Sequence, residues 1–107
     1  MTTFDQRKDG FENRFALDET LRFKAVARRN KQLGLWAAGL LGKTGADAEN
    51  YAADVVAADF EEAGDEDVFR KIRGDFDAAG VKQSDHEIRR TMDELLVVAI
   101  EQIKSQG

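Results

Sequence analysis

The stretch Ala37–Thr44, AAGLLGKT, places a small residue and four others before Gly-Lys-Thr, the loose spacing of a phosphate-binding loop. In such a loop a buried strand delivers glycine-rich backbone whose N–H groups wrap phosphate oxygens. The lysine then opens a helix whose N-terminus also attracts the anion. Here the order is reversed. The residues before Gly42 have helical periodicity, Leu40 and Leu41 occupy loop positions that favour small residues, and no apolar strand ending in Asp follows to hold magnesium. Gly42, Lys43 and Gly45 therefore read as a helix stop, with glycines suited to positive φ beside a cation that complements the negative end of the helix dipole. The alternative chemistry is weak ADP or ATP binding without hydrolysis, in which Arg28, Arg29 and Lys43 meet the phosphates.

Other catalytic patterns are incomplete. His86 is the only histidine, and HEIRR carries Arg90 where a zinc-protease helix needs its second ligand. EEAGDED lacks the alternating acids, and the glutamate at the right offset, of a calcium loop. With no cysteine, neither a disulfide framework nor a thiolate metal site is available. No serine, histidine and acid assemble into a nucleophilic triad. The expectation is no catalytic residue, no metal and no cofactor, and hence no enzyme.

The elements that carry these residues are helices. The 107 residues suit one domain and contain no proline, and Ala, Leu, Glu, Asp, Lys and Arg are abundant. A first helix from about Asp18 to Leu41 is predicted with Phe23, Val26, Leu33, Trp36, Ala37 and Leu40 on its buried face. Asn30 interrupts that stripe and is expected to be hydrogen-bonded at a partly buried seam. A second helix, about Ala46 to Glu62, presents small residues (Ala48, Ala52, Ala58) with Tyr51 and Val55, which permits close approach. The third opens at Asp65 as N-cap, places Phe69, Ile72, Phe76 and Ala79 on one stripe, and ends at Gly80. The fourth opens with a Ser84/Glu87 capping box and buries Ile88, Met92, Leu95, Leu96, Ala99 and Ile103. The predicted fold is all-α, a four-helix bundle over residues 19–107 with a flexible N-terminal arm over 1–18.

Charge is strongly segregated. Residues 1–20 sum to −2, residues 21–43 to +6 with no acid, and residues 44–107 to −9, within a net charge of −5. A basic first helix beside an acidic second one is the expected consequence. The surrounding acidity and the lack of interleaved aromatics argue against nucleic acid as a partner. No run of about 18 apolar residues and no basic-then-apolar leader appear, which argues for a soluble, unexported chain without direct membrane insertion.

The arm itself is unusual. Phe4, Phe11 and Phe15 are spaced by seven and four, so on a helix they project within about 40° of one another, along a segment that also carries Arg7, Lys8 and Arg14. Gly10 and several Asp and Asn residues lower its helicity, so it is expected to be frayed alone. Two outcomes stand open: the phenylalanines pack onto the bundle, or they enter a partner's groove while the cations meet acidic rims.

LRFKAVARRNKQLGLWAAGLLGKTG and VVAADFEEAGDEDVFRKIRGDF resemble the small ζ subunit of alphaproteobacterial ATP synthases, an inhibitor of F1-ATPase, and the likeness covers nearly the whole chain. The resemblance implies a four-helix protein, cytoplasmic at the inner-membrane ATP synthase. Its N-terminal segment would enter the interface among the α, β and γ subunits of F1 and block ATP hydrolysis. Phe4, Arg7, Lys8, Phe11, Arg14 and Phe15 then fall in the inhibitory segment, with the bundle from about Leu21 as anchor. The other function class is a small helical module that binds adenine nucleotide or senses its level.

Overall fold

The computed structural model describes residues 19–59 and 64–106, which form four helices and, among the described residues, no strand. They are α1 (Glu19–Leu40), α2 (Gly45–Ala58), α3 (Glu66–Ala79) and α4 (Asp85–Gln106). A four-helix bundle is the result, as the periodicity and glycine punctuation predict.

Local chemistry sets the turns. Gly80 takes φ 72°, and its N–H donates to Asp77 O while Val81 N–H donates to Phe76 O, the paired bonds of a glycine helix stop. At the start of α4 the Glu87 N–H donates to Ser84 Oγ at 3.0 Å while Glu87 Oε1 accepts from the Ser84 N–H at 3.4 Å, the reciprocal pair expected of a capping box. Asp65 occupies the N-cap position of α3 but makes no side-chain cap bond, because its carboxylate is drawn to Arg29. Asp67, in the first turn of α3, is buried, and its Oδ1 accepts from the Val68 N–H at 2.9 Å.

The core is continuous from Leu33, Ala37 and Ala38 on α1 through Tyr51 and Val55 on α2 and Val68, Ile72 and Phe76 on α3 to Ile88 and Met92 on α4. Trp36 meets Phe76 edge to face at 5.7 Å between centroids. Trp36, Phe69 and Leu95 border this core half-buried, and Leu96 is half-buried too. A second small cluster joins Ala25 to Ala99 and Ile103, so α4 runs back along the first half of α1.

On α1 the expected buried stripe is partly wrong. Phe23 and Leu40 are exposed, at 59% and 40%, and Val26 is half-buried. The buried positions are instead Ala25, Arg29, Leu33 and Ala37 in one i,i+4 row and Asn30, Gly34 and Ala38 in another. The helix is rotated because it packs on two neighbours, α2 and α4, and the seam with α2 is set by Gly34. A Cβ built there would lie 2.6 Å from Ala52 Cα, so only glycine admits this approach. The helix expected to reach Glu62 ends at Ala58.

Candidate functional site

Backbone geometry decides the phosphate-loop pattern. Gly42 has φ 79°, its N–H donates to Gly39 O at 3.2 Å, and the Lys43 N–H donates to Ala38 O at 2.9 Å. Those two amides close the end of α1 in the same way that Gly80 and Val81 close α3, so they are turned into the helix rather than toward a ligand. The helix runs into the motif instead of out of it. Thr44 follows in extended backbone as the N-cap of α2, without a side-chain cap bond, and Gly45 at φ 55° starts that helix.

Beyond the stop, Lys43 borders an open cleft of about 430 Å³ shared with Leu41, Tyr51, Lys71, Asp75, Ala78 and Ala79. The Tyr51 hydroxyl donates to Asp75 Oδ2 at 2.7 Å, and Lys71 Nζ donates to the same oxygen at 3.1 Å. Lys71 Nζ lies 4.9 Å and Lys43 Nζ 5.9 Å from the centroid of the Tyr51 ring. Burial, reinforced by the Asp75 hydrogen bond and charge, pushes the Tyr51 phenol well above its ordinary pKa. It is a fixed neutral donor at physiological pH, with no role as a base.

Arg28 and Arg29, the other cations expected to meet a nucleotide, are not brought to this cleft. Arg29 is 1% exposed and forks onto Asp65, at 2.7 Å to Oδ1 and 3.5 Å to Oδ2, while its Nε donates to Asn30 Oδ1 at 2.7 Å. It is held inside the protein as a structural cation. Asn30 is fully buried rather than at a partly buried seam, and its side chain also hydrogen-bonds Asp59. Burial, with Asp67 and Asp65 nearby, raises the Asp59 pKa against the opposing effects of the Asn30 bond and Arg29. The expected pairing of a basic first helix with an acidic neighbour is thus realised as one buried arginine facing the acidic corner between α2 and α3. Arg28 lies half-buried on the outer side of α1, 3.5 Å from Gln102 Oε1.

Phe4, Arg7, Lys8, Phe11, Arg14 and Phe15 lie outside the described residues. Sequence reasoning missed the Tyr51–Lys71–Asp75 cluster; the available signal was the i,i+4 spacing of Lys71 and Asp75. His86 is exposed at the start of α4, and among the described residues no group of acids or histidine is placed to hold a metal. No described helix is long and apolar enough to cross a membrane, and among the described residues no buried polar side-chain atom lacks a hydrogen-bond partner.

The described residues form an all-α bundle in which the nucleotide-like motif at Gly42–Thr44 is a helix stop. The chain belongs to the family described as ATPase inhibitor subunit zeta, whose profile matches residues 1–102. That description gives it a regulatory role, as an inhibitor of an ATPase. Among solved structures it is similar to a protein determined by solution NMR, with 49% sequence identity and a TM-score of 0.71, over 81% of this chain and 99% of that one. No curated protein gives a significant match.

Proposed function

We propose that the protein inhibits F1-ATPase by inserting its N-terminal arm among the α, β and γ subunits, with the bundle as anchor and no chemistry supplied by this chain. The observation that carries the reading is that the family match begins at residue 1, and so includes the aromatic arm as well as the bundle. Phe4, Phe11 and Phe15 would supply apolar burial of about 1.5–3 kcal/mol each, and Arg7, Lys8 and Arg14 the contacts with acidic rims. Ordering roughly fifteen residues costs about 1–2 kcal/mol each in backbone entropy, so productive insertion needs a preformed, largely apolar groove. A catalytic interface closing on nucleotide is such a groove. ATP hydrolysis by the cognate F1, followed as the protein is titrated in, tests the reading: inhibition is expected, and its absence at saturating protein would reject it.

A second reading, weak binding of ADP or ATP, is favoured by the two ammonium groups of Lys43 and Lys71 beside the Tyr51 ring in one cleft. Amide shifts on titration with ATP or ADP should then localise to residues 41–51 and 71–79. Shifts spread over the molecule, or none, would count against it.

A further inference from the structure

Lys24, Arg28 and Lys31 recur at i, i+4 and i+7 on α1, a stripe of positive charge spanning about 10.5 Å of helix. Residues 21–43 hold no acid, so no carboxylate stands three or four residues along α1 from any of these cations. Lys24 and Lys31 are exposed. Lys31 and Arg28 border an open groove of about 690 Å³, with Lys24 one turn further toward the start of the helix; Ala27 and Gln32 of α1, Val56 of α2 and Gln102 of α4 complete its lining. A smaller recess shares Ala27 and Val56 with it and extends to Phe23 and Val26, with Asn30 and Asp59 also lining it. Phe23 is 59% exposed and stands one turn from the start of α1, where the chain passes to residues 1–18. The result is a cation-edged channel leading to a recess whose walls carry Phe23, Val26 and Val56.

We infer that this channel docks an acidic amphipathic helix of the inhibited ATPase, so that the bundle as well as the arm has a binding face. The inference rests on the reading of the protein as an F1 inhibitor. Charge complementarity selects the occupant: carboxylates seven residues apart on a facing helix repeat at the spacing of Lys24 and Lys31. Phe23, Val26 and Val56 give that helix an apolar anchor. A membrane surface or a nucleic acid would extend past the channel onto α2, whose exposed Asp47, Glu49 and Asp54 repel a broad polyanion. A single helix stays within the groove.

The test uses the full chain, the cognate F1 and the double variant Lys24→Glu/Lys31→Glu, with the melting transition as a check on folding. In low salt the variant should need about tenfold more protein for half-inhibition, mainly through slower association. The difference should shrink near 1 M salt, where screening acts within about 3 Å. Phe23→Ser should weaken inhibition at both salt concentrations. If the parent inhibits and the double variant inhibits equally at low salt, the docking face is wrong while the inhibitor reading stands. A parent that neither binds nor inhibits F1 overturns both. Binding of the parent to phosphatidylserine vesicles that the double variant loses, with inhibition of F1 intact, assigns the stripe to a membrane and overturns the protein occupant.

Discussion

Replacing Gly34 by Ala adds one carbon at the closest approach of α1 and α2. That carbon would lie 2.6 Å from Ala52 Cα, 3.1 Å from Ala52 Cβ and 3.3 Å from Val55 Cβ, against 3.4–4 Å for ordinary contact. The nearest atom is backbone, so relief requires the helices to part by roughly 1 Å, which forfeits a quarter to a half of each dispersion contact along the seam. Overpacking of this kind costs about 1–3 kcal/mol, and removing a mid-helix glycine returns about 0.5–1 kcal/mol. The net expectation is a loss of up to about 2.5 kcal/mol, or some 4–8 °C in melting temperature per kcal/mol. Gly39 supplies the control, since it sits in the same helix with nothing within 4 Å of an added Cβ. Gly39→Ala should gain about 0.5–1 kcal/mol. Urea unfolding of both variants, with unchanged slopes, reads the two signs. A Gly34→Ala protein as stable as Gly39→Ala would refute the packing argument.

Arg29→Ala should destabilise by about 1–3 kcal/mol, because it leaves the buried Asn30 Oδ1 without its donor and removes the cation from Asp59, while the part-exposed Asp65 turns to water; thermal melting checks this. Asp59 has a folded pKa above its ordinary 3.8, so its contribution to stability is full below that value and is lost as pH rises through the folded pKa. Asp59→Asn, which keeps an acceptor for Asn30, should therefore be more stable than the parent at neutral pH and lose that advantage on acidification toward pH 3, as pH-dependent urea unfolding would show. Lys43→Ala should lose about 0.3–1 kcal/mol from the helix dipole and about 0.5–1 kcal/mol from its contact with the Tyr51 ring, and neither it nor the parent should turn over ATP. ATP hydrolysis by the parent that vanishes in Lys43→Ala would overturn the helix-stop geometry.

Legibility in the sequence followed the kind of interaction involved. Ser84, Glu87 and Gly80 act on backbone within a few residues, so their roles as cap and stop could be read directly, as could that of Gly42. The stripes of α3 and α4 were legible because each buries one face of large apolar side chains, such as Ile72, Phe76, Ile88 and Met92. α1 defeated the same reasoning. Its contacts are made by Ala25, Gly34, Ala37 and Ala38, whose small size carries little hydrophobic signal, and it buries Arg29, which composition assigns to the surface. The row Ala25, Arg29, Leu33, Ala37 becomes visible only once Asp65, 36 residues away, is known to accept the guanidinium. The same long-range pairing removed Asp65 from its expected side-chain cap. The Tyr51, Lys71 and Asp75 cluster joins α2 to α3 and likewise depends on tertiary placement.

The central claim is that the arm, rather than the bundle core, delivers inhibition. It is tested most directly by ATP hydrolysis of the cognate F1 in the presence of the full chain and of the full chain with Phe4, Phe11 and Phe15 all replaced by serine. The account predicts that the parent suppresses hydrolysis, and that the triple variant, with an unchanged melting transition, loses most of that effect as three apolar anchors disappear. A triple variant that inhibits as well as the parent, or one whose bundle melts, would contradict it.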